Sequence, residues 1–279
     1  IRGKLGLDQC QIAYTSTAPT PLDVLQFFAS LNLPIIEVWG MSELTGPATA
    51  NPPGHIKLGS VGVTLPGVEG KLDEDGELLI RGGNVMPAYY REPDKTAEIF
   101  DAEGWLHSGD IATVDADGYY RIVDRKKELL ITSYGKNIAP SLIESHLKHH
   151  ALIGQAIAIG DNRPYITALI VLDQEVVPAW AKARGIVTSG PAELAADPAV
   201  VAEVERGVVE ANSHLNHAEQ VKRFTILPGE WTAESEELTP TLKLKRRVIL
   251  AKYASAIEGM YASQPTGHAV SAEAPAPAS

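Results

Sequence analysis

A charged interruption near the middle of the chain limits what this sequence can fold into. Two short apolar runs, 111–114 and 119–123, are joined by residues 115–118, which read Asp-Ala-Asp-Gly. Asp-Gly between such runs predicts a β-hairpin. Five charged residues in a row, 124–128, follow at once, and another apolar run occupies 129–131. A charged break between two patterned segments predicts a boundary between two folding units.

A simpler interpretation of the five charges is a solvated rim at the end of a rigid hairpin, because runs of charge usually form solvated faces. The five residues taken alone favour that rim. The patterned segments on both sides, and the motifs that they carry, favour the boundary.

Composition excludes several classes of protein. The chain has 279 residues, 44% of them hydrophobic, which is enough for two cores. A net charge of −11 argues against a nucleic-acid surface, which needs a basic patch. Cys10 is the single cysteine, so no disulfide forms within the chain, as is typical of the reducing cytoplasm. No apolar run approaches the length of a membrane span, although a peripheral membrane contact is compatible with the sequence.

The first 50 or so residues have the pattern of a parallel sheet. An apolar run at 11–14 predicts a strand, and 34–38 predicts another. Between them, Thr20 predicts a helix N-cap and Pro21 the first helical position. A strand, a helix and a strand in so short a span imply a parallel crossover.

Residues 58–80 have a different pattern, because short apolar runs alternate there with glycines. This pattern and the turn at 73–76 predict antiparallel strands, which we expect to form a small distorted β-barrel. Pro93 then predicts the start of a helix.

Residues 127–261 predict a small α+β domain. Ser141 and Glu144 have the spacing of a capping box, and Asp197 precedes another helix. The remaining predicted elements are strands at 155–159, 165–172 and 221–227, and a last helix that Gly259 ends. Residues 262–279 are rich in Pro, Ala, Ser and Gly, which predicts a disordered tail.

Three segments follow strands or begin helices in a way that indicates chemistry. Residues 39–43, Trp-Gly-Met-Ser-Glu, come directly after a predicted strand, and ligands of open parallel sheets bind outside such strand ends. Asp110 follows a Gly in a loop, where a carboxylate can accept hydrogen bonds from the two hydroxyls of a ribose. Residues 238–247 place four basic side chains at a predicted helix start.

Other segments are more ordinary. Residues 76–82 read as a structural hairpin after a turn Gly. Of the neighbouring histidines, only His146 and His150 share a helix face, and helix-end solvation explains them better than a metal site. No GxxxxGK[ST] loop and no CxxC pair is present.

Taken together, the segments 15–19, 39–43, 105–110, 122–128 and 238–245 resemble those of the adenylate-forming enzymes. This superfamily includes the acyl-CoA synthetases and firefly luciferase, and the chain is most similar to long-chain fatty-acid CoA ligases. The resemblance implies a fold that is α/β and α+β. Residues 1–126 would be the C-terminal part of a large AMP-binding domain, with a parallel sheet and a small distorted β-barrel. Residues 127–261 would be a small, mobile C-terminal lid domain.

The resemblance also implies roles for individual residues. Asp110 and Arg125 would contact the ribose, Trp39 the adenine and Ser42 the phosphate oxygens, while Glu43 would hold Mg²⁺. All the residues implied in nucleotide or CoA binding are Ser16, Thr17, Trp39, Gly40, Met41, Ser42, Asp110, Arg125 and Gly135. Ser16 stands where the family usually has Gly, and a Cβ there would narrow the adenine slot.

Lys127 would be the hinge between the domains. The family's adenylation lysine usually follows a Gly, but here Leu244 precedes Lys245. Spacing from Thr241 selects Lys245, with Lys243 as the alternative.

The implied reaction uses ATP, Mg²⁺, a fatty acid and CoA. The fatty acid is first activated to acyl-AMP, and the CoA thiol then displaces AMP. Two alternatives stay open: an acyl-AMP ligase that passes its acyl group to a carrier protein, and a non-catalytic nucleotide-binding fragment. The family's phosphate loop, of the form TSGTTGxPKG, is expected before residue 1, so we expect this chain alone to make no acyl-AMP.

Overall fold

The computed structural model describes residues 1–18, 20–187, 190–232, 234–240 and 243–271. The chain divides into two compact units, Ile1–Lys127 and Glu128–Ser279. The division falls inside a short 3-10 helix, Lys126–Glu128, one residue beyond the boundary that the resemblance implies.

The first unit consists, in chain order, of β1 (Ala13–Thr15), α1 (Leu22–Ser30), β2 (Ile35–Met41), β3 (Gly46–Ala50), β4 (Val63–Thr64), β5 (Val68–Leu72), β6 (Glu77–Gly82), α2 (Pro93–Ile99), β7 (Leu106–Val114) and β8 (Tyr120–Arg125). The second consists of β9 (Leu130–Ile131), β10 (Asn137–Ile138), α3 (Pro140–Lys148), β11 (Ile153–Ile159), β12 (Ile166–Leu172), α4 (Val176–Ala183), α5 (Pro191–Ala196), α6 (Pro198–Ser213), β13 (Val221–Leu227), α7 (Arg246–Lys252), α8 (Ala254–Tyr261) and β14 (His268–Ala269).

Two sheets form the first unit. In one, the order is β1-β2-β3-β4, and β1 pairs with β2 in parallel, which confirms the predicted crossover. In the other, β5 to β8 pair with their neighbours in antiparallel fashion. The β7–β8 hairpin is also confirmed, since Gly118 donates to the Asp115 carbonyl across the turn. The helix after β1 begins at Leu22 rather than Pro21, and the Thr20 hydroxyl bonds the Thr15 hydroxyl, so the predicted Thr20 cap is wrong.

The two sheets of the first unit are joined at their edges and curl around a shared core. A bridge links Gly62 to Tyr120 of β8, with hydrogen bonds of 2.8 and 2.9 Å on either side of it. Gly62 has a φ of 79°, and a Cβ there would lie 1.9 Å from the Ala50 carbonyl carbon. The buried core comprises Trp39, Leu44, Ala48, Leu78, Ile80, Leu106, Ala112 and Tyr120.

The second unit is a mixed sheet with helices on both faces. The order is β11-β12-β13-β14, with β12 and β13 parallel and the other pairs antiparallel. Helices α3 to α6 share one core with the sheet, and α7 and α8 share another. This is the α+β architecture expected of a small C-terminal domain. Asp197 caps α6 as predicted, its carboxylate accepting from the amides of Ala199 and Val200.

Several local predictions for this unit are wrong. Ala139, rather than Ser141, is the N-cap of α3, and Glu144 is buried and bonded elsewhere, so no capping box forms. Gly259 lies within α8 instead of ending it. His268–Ala269 pairs with β13, which differs from the disordered tail predicted for 262–279, while residues 272–279 lie outside the described residues.

The close approach at Gly62 generates a prediction about stability. Gly62→Ala should destabilise the chain far more than Gly67→Ala, although both glycines have a left-handed φ, 79° and 84°. Both changes incur the left-handed strain, about 1–2 kcal/mol. Only Gly62→Ala adds overpacking, about 1–3 kcal/mol or more, because no described atom lies within 4 Å of a Cβ at Gly67. Urea denaturation of both variants measures the difference, and equal losses would contradict the argument.

Candidate functional site

Asp110 is the centre of the candidate site in the first unit. The Trp39 indole Nε1–H donates to its Oδ2 over 2.7 Å, and the Arg125 Nε lies 3.4 Å from Oδ1. Asp110 and Arg125 are direct register partners on β7 and β8, so the sheet itself brings them together. The Asp110 side chain is 12% exposed, while the Arg125 side chain is 69% exposed. The arrangement therefore presents a held carboxylate beside a solvent-accessible guanidinium, which suits a diol ligand.

Trp39 holds the Asp110 carboxylate in place. The residue is 8% exposed and belongs to the buried core. Its indole N–H donates to Asp110, a contact that the sequence did not indicate. The adenine contact that the resemblance implies for Trp39 stays a prediction.

Gly40 and Met41 are the last two residues of β2 and follow Trp39 directly. A Cβ on Gly40 would lie 2.0 Å from the Gly46 carbonyl oxygen, so only Gly allows β2 and β3 to approach here. Met41 packs against the core. Both residues thus have a structural role, and the part in nucleotide binding that the resemblance implies for them stays a prediction.

Ser42 and Glu43 lie in a 3-10 helix at the end of β2, Ser42–Leu44. Ser42 is exposed, and Glu43 is half-buried with its Oε1 accepting from the Tyr89 hydroxyl over 2.7 Å. That hydrogen bond raises the pKa of Tyr89. The sequence analysis missed Tyr89, and a tyrosine pair at 89–90 before the α2 start gives no signal of such a contact. The Glu43 carboxylate is a hard oxygen donor and fits a magnesium ion. The exposed Ser42 hydroxyl is accessible to phosphate oxygens.

Ser16 and Thr17 are exposed after β1. The left-handed backbone falls on Thr17, with a φ of 74°, and not on Ser16, where the family usually has Gly. A β-branched residue in this conformation is a genuine outlier. Pro19, which completes this motif, lies outside the described residues.

Lys127 ends the first unit and is exposed. Among the described residues its ammonium contacts no carboxylate, whereas the neighbouring Lys126 ammonium binds Asp75 and Glu77. The hinge role of Lys127 stays a prediction.

In the second unit, Gly135 lies in the turn between β9 and β10. Its φ is 74°, and its amide donates to the Thr132 carbonyl over 2.8 Å. The turn is exposed, with Tyr134 at 80% exposure beside Gly135. Glycine is therefore required here by the turn, whatever the turn binds.

Lys243 and Lys245 lie on either side of Leu244, and Lys245 is the N-cap of α7. Leu238 bridges Leu244, and the Lys245 amide donates to the Glu237 carbonyl over 2.7 Å. Within the part of the chain that the structure describes, neither lysine ammonium has a carboxylate partner. Residues 241 and 242, from which the spacing argument starts, lie outside that part.

Glu237 fixes the backbone of this loop. It is 2% exposed, and its Oε1 receives the Lys252 ammonium at 2.7 Å and the Tyr253 hydroxyl at 2.8 Å. Burial alone would raise the pKa of Glu237, but these two hydrogen bonds outweigh it and lower the pKa to about 2. The sequence analysis missed Glu237 because it stands in an acidic stretch, 234–237, that reads as exposed.

No helix in the described ranges combines the length and the apolar composition needed to cross a bilayer.

Comparisons with known proteins give consistent results for both units. Residues 4–90 match the model of the AMP-binding enzyme family, and residues 127–265 match that of the AMP-binding enzyme C-terminal domain. The provisionally named fatty-acid–CoA ligase fadD11 of Mycobacterium tuberculosis is 50% identical over 95% of this chain and 46% of its own length. Long-chain-fatty-acid–CoA ligase FadD15 of Mycobacterium bovis is 41% identical over 94% of this chain and 43% of its own. The chain thus spans less than half the length of these relatives.

Among solved structures, the A domain of carboxylic acid reductase from Segniliparus rugosus, in complex with AMP and a co-purified carboxylic acid, is similar with a TM-score of 0.71. It is 25% identical, and the match covers 89% of this chain and 39% of that one.

The Trp39–Asp110 contact predicts that Trp39→Phe destabilises the chain by about 1.5–3 kcal/mol, because a buried carboxylate loses one of its hydrogen-bond donors. Trp105→Phe is the matched control, since Trp105 is equally buried at 8% exposure, and its indole has no carboxylate acceptor among the described residues. Urea denaturation should give a larger loss for Trp39→Phe. Similar losses would mean that only ring size matters.

Glu237 predicts a pH dependence of stability. Its pKa is about 2 in the folded chain against an ordinary value of 4.5, so its contribution to stability is complete above pH 4.5 and lost as the pH falls toward 2. The shift corresponds to roughly 3 kcal/mol. Glu237→Gln should flatten the unfolding free energy over that pH range, whereas Glu236→Gln at the exposed neighbour should leave it unchanged. A wild-type curve already flat between pH 4.5 and 2 would refute this.

Proposed function

This chain belongs to the family of AMP-binding enzymes, and we propose that it supplies nucleotide-binding strands and the C-terminal domain of a long-chain fatty-acid–CoA ligase. The observation that carries the proposal is the Asp110 carboxylate, held by Trp39 on one oxygen and facing Arg125 on the other. Relatives at 50% and 41% identity bear ligase names of this kind.

The proposed reaction has two steps. An oxygen of the fatty-acid carboxylate attacks the α-phosphorus of ATP, the bond to pyrophosphate breaks, and acyl-AMP forms. The CoA thiol then loses its proton, its sulfur attacks the acyl carbon, and AMP leaves as acyl-CoA forms. Both steps bring anions or electron-rich atoms together, so positioned positive charge is the main requirement on the protein.

Residues of the first unit bind and orient the nucleotide in this proposal. The Asp110 carboxylate accepts the two ribose hydroxyls, and the exposed Arg125 guanidinium lies beside them. Ser42 would contact the phosphate oxygens, Glu43 would hold Mg²⁺, which would neutralise phosphate charge, and Tyr89 keeps the Glu43 carboxylate in place.

Residues of the second unit act in alternation. The Lys245 ammonium, which no described carboxylate neutralises, would lower the repulsion between the fatty-acid carboxylate and the α-phosphate. Exclusion of water strengthens that effect. A rotation about Lys127 would then exchange Lys245 for the turn around Gly135, at which CoA reacts.

The acyl acceptor separates the proposal from its alternative, a ligase that delivers the acyl group to a carrier protein. CoA is favoured because the relatives at 50% and 41% identity are named as CoA ligases. We also propose a cytoplasmic location, which the single cysteine, Cys10, supports.

The half-reactions test the proposal in the full-length protein. Lys245→Ala should slow pyrophosphate release with palmitate by about 10²–10³-fold, the effect of losing one electrostatic donor. Thioester formation from supplied palmitoyl-AMP and CoA should stay near the wild-type rate, because Lys245 acts only in the first step. Lys243→Ala is the matched control, two positions away in the sequence.

Equal loss in both half-reactions would reject the role of Lys245, and a larger first-step loss in Lys243→Ala would transfer that role to Lys243. Acyl transfer to a carrier protein but not to CoA would favour the alternative ligase.

A further inference from the structure

Glu77 is a buried carboxylate that the proposed reaction does not use. It begins β6, is 4% exposed, and both of its oxygens are occupied. Oε1 accepts the Gly109 amide over 2.8 Å, and Oε2 receives the Lys126 ammonium at 2.9 Å and lies 3.1 Å from His107 Nδ1. One side chain thus contacts the segment before Asp110 and the residue before Lys127.

The Gly109 contact compensates for an interruption of the sheet. Glu77 pairs with Ile111 and Leu79 with His107, so residues 108–110 of β7 lie opposite one residue of β6. Gly109 has a φ of 74° in this bulge, and its amide is directed to the Glu77 carboxylate instead of a strand carbonyl. Bulges beside functional sites commonly re-aim a side chain. Here the re-aimed residue is Asp110.

The Lys126 contact holds the other side of Glu77. The ammonium also lies 2.5 Å from Asp75, and hydrogen bonds to the two carboxylates raise the pKa of Lys126. Burial would raise the pKa of Glu77, but hydrogen bonds from Lys126, His107 and Gly109 lower it. The ion pair therefore persists at neutral pH, and it holds the chain one residue before Lys127.

A metal ion is the competing explanation for this cluster. Asp73, Glu77 and His107 offer ligand atoms within 4.8 Å of one another. The Lys126 ammonium already supplies the positive charge that Glu77 requires, at hydrogen-bond distance. The cluster is complete as an ion pair and needs no metal.

We propose that Glu77 is a positioning residue that couples the Asp110 bulge to the chain entering the Lys127 hinge. This inference rests on the proposed function, because it gives Asp110 and Lys127 their roles. The Glu77 carboxylate would thus hold both the bulge before Asp110 and the residue before Lys127. The rotation would then be confined to residues beyond Lys126.

Three variants of the full-length protein separate the two contacts. Glu77→Ala removes both, and AMP binding by calorimetry should weaken about tenfold, the effect of one lost charge-assisted hydrogen bond. Glu77→Gln keeps an oxygen for Gly109 and should bind AMP within about twofold of wild type. Lys126→Met should leave AMP binding unchanged. It should change the ratio of the two half-reaction rates, second to first, by about fivefold or more, which corresponds to roughly 1 kcal/mol between the two activation barriers.

Lys57→Met is the matched control for Lys126→Met. Lys57 also binds two carboxylates, Asp115 and Asp117, each at 2.6 Å, but at the opposite end of the β7–β8 hairpin. It should change neither AMP binding nor the ratio of the half-reactions. Equal effects of Lys57→Met and Lys126→Met, or unaltered AMP binding in Glu77→Ala, would overturn the proposal.

Amide hydrogen exchange keeps this test independent of the reaction. Glu77→Ala should speed exchange at Gly109 and at 126–128, whereas Lys126→Met should speed it only at 126–128. If the wild-type protein neither binds AMP nor releases pyrophosphate, the proposed function is wrong. Amide exchange still tests whether Glu77 couples the two segments. Unchanged exchange at both places in Glu77→Ala would refute it.

Discussion

Buried carboxylates need donors, and both units depend on meeting that need. Asp110, Glu77, Glu144 and Glu237 are each less than 9% exposed. An unpaired charge in such places would cost several kcal/mol, on the order of the whole stability of a domain. Each carboxylate therefore joins segments that are distant in sequence. The loops that supply its hydrogen-bond donors are fixed in position by these contacts. Those loops carry the candidate site residues.

Glu144 shows how such a contact organises the second unit. Burial raises the pKa of its carboxyl, and the Arg246 guanidinium opposes that by binding both oxygens, at 2.8 and 2.7 Å. The Ala158 amide of β11 donates to the same side chain over 2.8 Å. Helix α3, strand β11 and the first residue of α7 therefore meet at one point. Lys245 directly precedes that residue, so its backbone is fixed on both sides.

Patterns with a short range in sequence predicted most of the architecture. Alternation and apolar runs predicted the β7–β8 hairpin and the parallel crossover, and Asp197 before Pro198 predicted the start of α6. Motif order predicted the family, which the comparisons confirm. These signals succeed because backbone hydrogen bonding and amphipathic burial are decided by neighbours along the chain.

The errors share another cause. The Glu144 capping box failed because burial against Arg246 outweighed a local hydrogen bond. The hydrogen bond from Trp39 to Asp110 was not predicted, because the two residues lie 71 positions apart in the sequence. The structural hairpin predicted at 76–82 is confirmed by the β5–β6 pairing, but the pattern gave no sign of the contacts that Glu77 makes with Gly109 and Lys126, 32 and 49 residues away. Long-range electrostatic pairing leaves no periodic signal in the sequence.

Ion pairs of Lys57 and Lys126 fix the two ends of β8. Lys57 forms an ion pair with the turn that precedes this strand, and Lys126, the residue after the strand, forms one with Glu77. A strand fixed at both ends cannot slip in register, and a slip of one residue would exchange its inward and outward faces. In the proposed rotation about Lys127, β8 would therefore move as one rigid piece with the first unit, and the change in backbone angles would fall on the residues that follow Lys126.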